Sequence, residues 1–87
     1  MRIIYKFPLE IKGFQTITTV KDIKPLSLQL QRGIPTLWAE IDKSSDSMMY
    51  EITMIGTGHE FEKDPGEYIG SLQDGPFVWH YYIREVF

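Results

Sequence analysis

The 87-residue chain contains no cysteine and only two histidines. The absence of cysteine excludes disulfide bonds, zinc–thiolate centres and thiol nucleophiles, and it fits a reducing compartment. Neither a metal nor a cofactor is expected, because the two histidines show no close metal-binding spacing. No apolar run reaches the roughly 18–20 residues that span a membrane, and no signal peptide is recognisable. A soluble protein that acts in the cytoplasm, without a membrane partner, is therefore expected.

Basic side chains are scarce after residue 32. Residues 1–32 carry six basic and two acidic side chains, a balance of +4, whereas residues 33–87 carry three and ten, a balance of −7. Duplex nucleic acid is not expected as a partner, because it requires a dense basic surface. Three interpretations of the basic first third stay open: a patch that holds a small anion, a patch that pairs with an acidic surface on a second copy, and ordinary solvated charge.

Helix signals are also nearly absent, and the dominant hydrophobic period is two, which indicates strands. Leucines 26, 28 and 30 alternate with polar residues, and a second alternating run follows Arg32-Gly33. These two runs predict a hairpin with Gly33 at a positive φ and Pro35 near the turn. The chain as a whole predicts a single β-domain, residues 1–87: a compact antiparallel sheet, as a small sandwich or partly open barrel of about six or seven strands. At most one short helix is expected, over residues 60–66.

The segment Gly56-Thr57-Gly58-His59 follows a predicted strand, where phosphate-binding loops occur. The third glycine of a dinucleotide fingerprint and the Gly-Lys-Ser/Thr of a P-loop are missing. Two interpretations remain, a turn or bulge at the end of a strand and a backbone nest for an anion assisted by Thr57. For His59, a hydrogen-bonding loop residue or one that contacts a ligand is the favoured interpretation. Its acidic neighbours also permit a weaker metal hypothesis, although His80 would have to meet it across strands.

The last predicted strand, from Phe77 to Val86, has two different faces. If the alternate residues Phe77, Trp79 and Tyr81 are buried, then His80, Tyr82 and Arg84 project to the opposite side. Imidazole, phenol and guanidinium groups on one face could recognise an anion or a planar ring. Tyr68, between two predicted turns, is a further candidate for contact with a ligand. Trp38, on the outer side of its strand, is expected to lie against a ligand, a second subunit or the stem of a lysine.

Sequence patterns that would indicate catalysis are weak. Several serines could contribute to a Ser–His–Asp arrangement, but none lies in a nucleophile elbow. The carboxylates of the loop that follows His59 could serve in acid–base chemistry, although solvation of an exposed loop explains them equally well. No catalytic residue is assigned. The serines are Ser44, Ser45, Ser47 and Ser71, and the carboxylates are Glu62, Asp64 and Glu67.

Five segments resemble a family of small phage and prophage proteins of unknown function, and the resemblance covers nearly the whole chain. The more specific of them are Gly-Thr-Gly-His at residues 56–59 and Gly-Pro-Phe-Val-Trp-His at residues 75–80; the others are residues 4–9, 31–39 and 66–70. The chain departs from the usual pattern after His80, where a longer tail follows. The resemblance implies a phage setting and action in the cytoplasm of an infected bacterium, and it supplies no catalytic residue.

The phage setting favours a protein that counters host defence. The leading hypothesis is a non-enzymatic homo-oligomer that sequesters an anionic, nucleotide-like immune signal. An inhibitor that binds a host protein through a sheet edge or an aromatic face is the alternative, and a nucleotide hydrolase is the third. Small chains often form pockets between subunits. The expected ligand-binding residues are Trp38, Gly56, Thr57, Gly58, His59, Tyr68, His80, Tyr82 and Arg84.

Overall fold

The computed structural model describes residues 1–86, which form seven antiparallel β-strands in two sheets. This confirms the predicted antiparallel β-fold of six or seven strands. Within this range no helix is long and apolar enough to cross a membrane. The strands are β1 (Arg2–Pro8), β2 (Phe14–Val20), β3 (Ile23–Gln31), β4 (Ile34–Asp42), β5 (Ser47–Gly56), β6 (Glu67–Asp74) and β7 (Phe77–Val86).

The first sheet, called sheet A, has the strand order β1-β4-β3. Side chains alternate between its two faces, as the period of two requires. Leu37, Ala39 and Ile41 of the central strand are buried against the second sheet. Trp38 lies on the outer face, where its cross-strand partners are Lys6 of β1 and Ser27 of β3.

The second sheet, called sheet B, has the order β2-β5-β7-β6. Tyr50 and Ile52 of β5 and Tyr81 and Ile83 of β7 are buried on its inner face. The neighbouring residues of β7 therefore point outwards, as the alternation predicts. Phe77, at the start of β7, is an exception among the residues expected in the core, because 55% of its surface is exposed. It lies beside a tight turn at the end of the sheet, where it stacks on Trp79 at a ring-centroid distance of 5.4 Å.

The two sheets approach each other closely along one side, where β3 meets β6. Gly70 makes this approach possible, because a Cβ atom on it would lie 2.9 Å from Cβ of Leu28. The sheets are not joined into a closed barrel, and β1 and β2 form the edges at the opposite side. The arrangement is thus a two-layer sandwich, with dimensions of 40 × 31 × 15 Å.

Two short turns set the register of the hairpins. Arg32 and Gly33 join β3 to β4 with φ values of 53° and 80°, the positive pair that a type I′ turn requires. This confirms the predicted hairpin and the role of Gly33. Gly75 and Pro76 join β6 to β7, and Gly75 takes a positive φ of 59° as the first central residue. Proline fixes φ at the second position, and both turns suit the right-handed twist of the strands.

Two local predictions are corrected. The register of β3 shifts between Pro25 and Ser27, and the extra residue, Leu26, is 47% exposed, whereas Leu28 is 8% exposed. A bulge adds one residue to the strand and so interrupts the strict alternation. Residues 60–66 form no helix; they are an irregular, largely exposed loop. Pro65 and Gly66 lie at its end, where glycine has a φ of 104° that a helix does not allow.

Candidate functional site

Five of the residues that the sequence analysis selected share the outer face of sheet B. Cross-strand pairing places His80 of β7 beside Ser71 of β6, and Tyr82 beside Tyr68. Arg84 is the partner of Glu51 in β5. The fifth selected residue, Thr57, follows the end of β5 and reaches His80. The alternation of β7 brings these groups together, because its even-numbered positions all project to one side.

A chain of hydrogen bonds runs across this face. The hydroxyl groups of Tyr68 and Ser71 lie 2.5 Å apart, and Ser71 Oγ lies 2.7 Å from Nδ1 of His80. On the other side of the ring, Nε2 lies 2.8 Å from Oγ1 of Thr57. A neutral imidazole has one donor and one acceptor nitrogen, and hydroxyl groups can serve either. Both nitrogens of His80 are therefore engaged within the chain, which fixes the ring in place.

The loop after β5 folds over this face and adds an aromatic side chain. Phe61 lies 6.5 Å from Tyr82, and Tyr82 lies 5.5 Å from Tyr68, between ring centroids. The loop and the strands enclose a groove of about 630 Å³, here called the aromatic groove. Its volume falls within the range of small-molecule sites. The residues that line it are Phe14, Glu51, Thr53, Ile55, Glu60, Phe61, Glu62, Lys63, Asp64, Pro65 and Arg84.

The charges of the aromatic groove are mainly negative. Among the described residues 1–86, four carboxylates line it against two cations. Arg84 is neutralised, because its Nε donates a hydrogen bond of 2.7 Å to Oε2 of Glu51. An anion that entered would meet the remaining carboxylates of the loop, which disfavour it. The aromatic groove thus fits a neutral or cationic group better than the anionic ligand that the sequence analysis expected there.

Gly56 and His59 belong to a different side of sheet B. A Cβ atom on Gly56 would lie 2.8 Å from the ring of His59 and 3.0 Å from that of Trp79. The ring of His59 therefore packs on the side of the sheet that carries Trp79, whereas His80 lies on the opposite side. The structure therefore does not bring the two histidines together, as the metal hypothesis for His59 requires.

The amide groups of this loop are largely used within the fold. Thr57 N donates to Val78 O at 3.2 Å, and His59 N donates to Gly56 O at 3.0 Å. Gly58 takes a φ of 85°. These contacts are those of a strand-ending turn, and they occupy two of the donors that an anion nest would need. Among residues 1–86, no group of three or more histidine, aspartate or glutamate residues is placed to hold a metal ion.

Trp38 lies on the outer face of sheet A, away from the other selected residues. A second groove, of about 380 Å³ and here called the basic groove, lies on that side beside the Arg32-Gly33 turn. Lys6, the cross-strand partner of Trp38, lines it and donates a hydrogen bond of 3.1 Å to Oε1 of Gln31. In the described part of the chain, no carboxylate lines the basic groove; its residues are Lys6, Pro8, Gln31, Arg32, Ile34 and Thr36.

The backbone conformation of Arg32, one of these cations, is energetically unfavourable. Arg32 has a φ of 53°, in the left-handed region, which is disfavoured by roughly 1–2 kcal/mol for a residue with a Cβ atom. Sequence reasoning detected the surplus of basic residues before residue 33 but did not select Lys6 or Arg32. The missing information was the strand order β1-β4-β3, which brings the beginning of the chain beside β4. Alternation alone places Lys6 on an outer face without saying which strand adjoins it.

Buried tyrosines act in the core rather than in either groove. Burial raises the pKa of Tyr81 to about 12, and its hydroxyl donates to Glu10 O at 3.2 Å. Burial, followed by the nearby charges of Glu85 and Asp22, raises the pKa of Tyr50. The Tyr50 hydroxyl group contacts the carbonyl oxygens of Val20 and Lys21, at 2.8 and 3.0 Å. Both phenols therefore stay protonated and hold loops to the sandwich.

Comparison with known proteins identifies a family for the chain. A family model described as a domain of unknown function, DUF7352, matches residues 1–86. No curated protein and no solved structure matches the chain.

Proposed function

The chain belongs to the DUF7352 family, a domain of unknown function, and we propose that it is a non-enzymatic phage accessory protein that sequesters an anionic, nucleotide-like small molecule. The phage setting comes from the resemblance of its motifs to small phage and prophage proteins. Sequestration of an immune signal in the bacterial cytoplasm would counter host defence. Such a protein needs a preorganised pocket and no catalytic groups.

The observation that carries the proposal is the basic groove. Lys6 and Arg32 supply two positive charges to a concave surface that no carboxylate of residues 1–86 lines. Cations without a competing carboxylate favour a phosphate group, which accepts charge-assisted hydrogen bonds. Trp38, the cross-strand neighbour of Lys6, offers an indole ring for stacking against a base. We therefore assign the proposed anion site to the outer face of sheet A and not to the residues around His80.

Binding of nucleotides tests this proposal directly. Native mass spectrometry of the purified protein with a panel of cyclic and linear nucleotides should detect a complex. Lys6→Gln and Arg32→Gly should each weaken binding roughly tenfold or more, because each removes a charged partner worth about 1.5–3 kcal/mol. Arg32→Gly also suits the positive φ of this turn, so weaker binding cannot be attributed to a damaged fold.

Arg84→Gln is the matched control, because it removes one positive charge from the other face of the molecule. Affinity should change little in this variant. Absence of binding across the panel would contradict the proposal, and so would a loss of binding in Arg84→Gln alone, which would place the site in the aromatic groove.

A second candidate function is inhibition of a host protein through the outer face of sheet B. The observation that favours it is the exposure of large apolar side chains there, namely Phe14, Phe61 and Tyr68, each more than half exposed. Aromatic residues are enriched at protein interfaces. Purified protein should then carry no small molecule, whereas a sequestered signal is released intact on heat denaturation. A chemically altered product would instead indicate the third hypothesis, a nucleotide hydrolase.

The hydrolase hypothesis has a specific test because Ser71 and His80 are hydrogen-bonded. Their contact, which sequence spacing did not identify, is a direct cross-strand pair. Ser71→Ala should abolish turnover if Ser71 were a nucleophile activated by the imidazole. On the proposed function, neither Ser71→Ala nor His80→Gln changes the amount or the chemical identity of the recovered ligand.

A further inference from the structure

Edge strands expose unpaired backbone groups, and folded proteins commonly protect them with charges, proline, bulges or a covering element. Three of the four edge strands that residues 1–86 form have such protection. β1 contains Arg2, Lys6 and Pro8, β3 contains a bulge and packs along β6, and β6 contains a bulge between Tyr68 and Gly70. These features oppose the addition of another strand at those edges.

The fourth edge, β2, has none of these features. Its sequence, Phe14–Val20, contains no charged residue and no proline, and its register with β5 is continuous. Three threonines, an isoleucine and a valine give it a strong preference for extended backbone. The strand is therefore well suited to pair with a further strand on its free side.

A groove beside β2 provides space for such a strand. It has a volume of about 540 Å³ and is lined by Pro8, Glu10, Lys12, Phe14, Gln15, Thr16 and Ile17. The charged residues in this lining, Lys12 and Glu10, form an ion pair with each other at 3.0 Å. These two charges cancel, and a groove of this kind fits an uncharged strand better than a basic or acidic peptide.

We propose that a second copy of this chain fills the groove, with the two β2 strands antiparallel and related by a two-fold axis at Ile17. In this register Phe14 faces Val20 of the other copy, and Thr16 faces Thr18. The Thr–Thr pair is favourable across antiparallel strands, whereas Val20 packs against the core of its own chain. Because β2 contains no charge, self-pairing opposes no like charges. This self-complementarity favours a second copy over an unrelated strand.

The pairing would join two four-stranded sheets into one sheet of eight strands. An interface with this two-fold symmetry uses the same residues of both copies, and the assembly is complete once two copies have associated. Since Phe14 also lines the aromatic groove, the dimer would bring the aromatic grooves of the two copies toward each other. The inference does not depend on binding of a nucleotide, and its failure would leave the basic groove unaffected.

Light scattering of the purified protein should give twice the mass of the chain. Thr16→Lys combined with Thr18→Lys should yield a monomer, because the lysine introduced at each of these positions would face a lysine of the other copy. Thr16→Lys combined with Thr18→Glu is the matched variant, in which each lysine faces a glutamate, and it should remain a dimer. Both side chains are exposed in the single chain, so each variant should keep the circular dichroism spectrum of the unmodified protein.

Cross-linking tests the register, and the absence of native cysteine makes the result unambiguous. An oxidised mixture of Thr16→Cys and Thr18→Cys chains should form a disulfide-linked dimer, whereas Thr16→Cys alone should not. A monomeric unmodified protein at high concentration would overturn the proposal. So would equal masses for the two charge variants, or efficient cross-linking of Thr16→Cys to itself.

Discussion

Gly66 and Gly13 both lie in loops, but only Gly66 is required by its surroundings. Gly66 has a φ of 104°, and a Cβ atom on it would lie 2.3 Å from the carbonyl oxygen of Ile83. Gly13 has no positive φ, and among residues 1–86 no atom outside Gly13 and its two chain neighbours lies within 4 Å of the corresponding position. Gly66 lets the end of the irregular loop approach β7 closely, whereas Gly13 only connects β1 to β2.

Gly66→Ala should therefore destabilise the protein by about 1–3 kcal/mol or more, because backbone strain adds to the steric clash. Gly13→Ala is the control and should be neutral or stabilise by about 0.4–1 kcal/mol, since it restricts the unfolded chain. Urea unfolding followed by circular dichroism measures both. Equal stability of the two variants would show that the loop relaxes around residue 66.

Hydrogen bonds to the Asp42 carboxylate make the stability of the protein depend on pH. The Ser44 hydroxyl donates to its carboxylate at 2.6 Å and the Ser44 amide at 3.0 Å, and these bonds lower the pKa of Asp42 to about 2. A carboxyl whose pKa is lower in the folded protein stabilises the fold above its unfolded pKa of 3.8. That contribution is lost as the pH falls from about 4 to about 2.

Asp42→Asn should therefore weaken the dependence of the free energy of unfolding on pH within that window. The slope of stability against pH between about 4 and 2 should fall relative to the unmodified protein. Asp46→Asn, in the same loop, removes the same negative charge without removing the Ser44 hydrogen bonds, and its slope is the reference for the change in net charge. An unchanged slope in Asp42→Asn would mean that the Ser44 contacts do not persist in solution.

At the scale of the strands, Leu26 and Leu28 show where a sequence pattern misleads. The strict alternation of leucines predicts that both are buried. The bulge in β3 leaves Leu26 at 47% exposure and Leu28 at 8%, against Gly70 of β6. Proline at position 25 does not predict the bulge by itself, because proline is equally compatible with a regular edge strand.

Leu28→Ala should cost about 2–5 kcal/mol, as truncation of a buried leucine does. Leu26→Ala should cost less than about 0.5 kcal/mol, as a surface substitution does. Chemical denaturation of the two variants measures both losses of stability. Unequal losses indicate that only Leu28 is buried, as in the structure, and not both leucines, as strict alternation predicts. Comparable losses would support inward orientation of both side chains.

At the scale of the whole molecule, the sheets pack into one sandwich with a shared core, which predicts cooperative unfolding. The two tryptophans report on different sheets, since Trp38 lies in sheet A and Trp79 in sheet B. In Trp38→Phe and Trp79→Phe variants, the single remaining tryptophan should lose its native fluorescence at the same urea concentration as the circular dichroism signal. Separate midpoints within one variant would indicate two independently unfolding units.

The period of two was sufficient to predict strands, the β3–β4 hairpin and the outward direction of His80 and Tyr82, because these depend on neighbours in sequence. Strand order depends on distant contacts, which one sequence does not encode in any simple pattern. For the same reason, alternation places His80 and Tyr82 on one face but does not show that Thr57 and Tyr68 lie beside them, or that Lys6 and Arg32 line one groove. Alternation also does not set the side on which the loop residue His59 packs, and in the structure His59 lies on the Trp79 side of sheet B while His80 projects from the opposite side.

The separation of the two histidines has a practical consequence for solution spectroscopy. His59 packs against the Gly56–Trp79 side of sheet B, and His80 is held between Ser71 and Thr57 on the other side. Since the chain has only these two imidazoles, a proton–nitrogen NMR spectrum contains one reporter for each side. A molecule added to the aromatic groove should shift the His80 signals and leave those of His59 in place, whereas one in the basic groove should move neither.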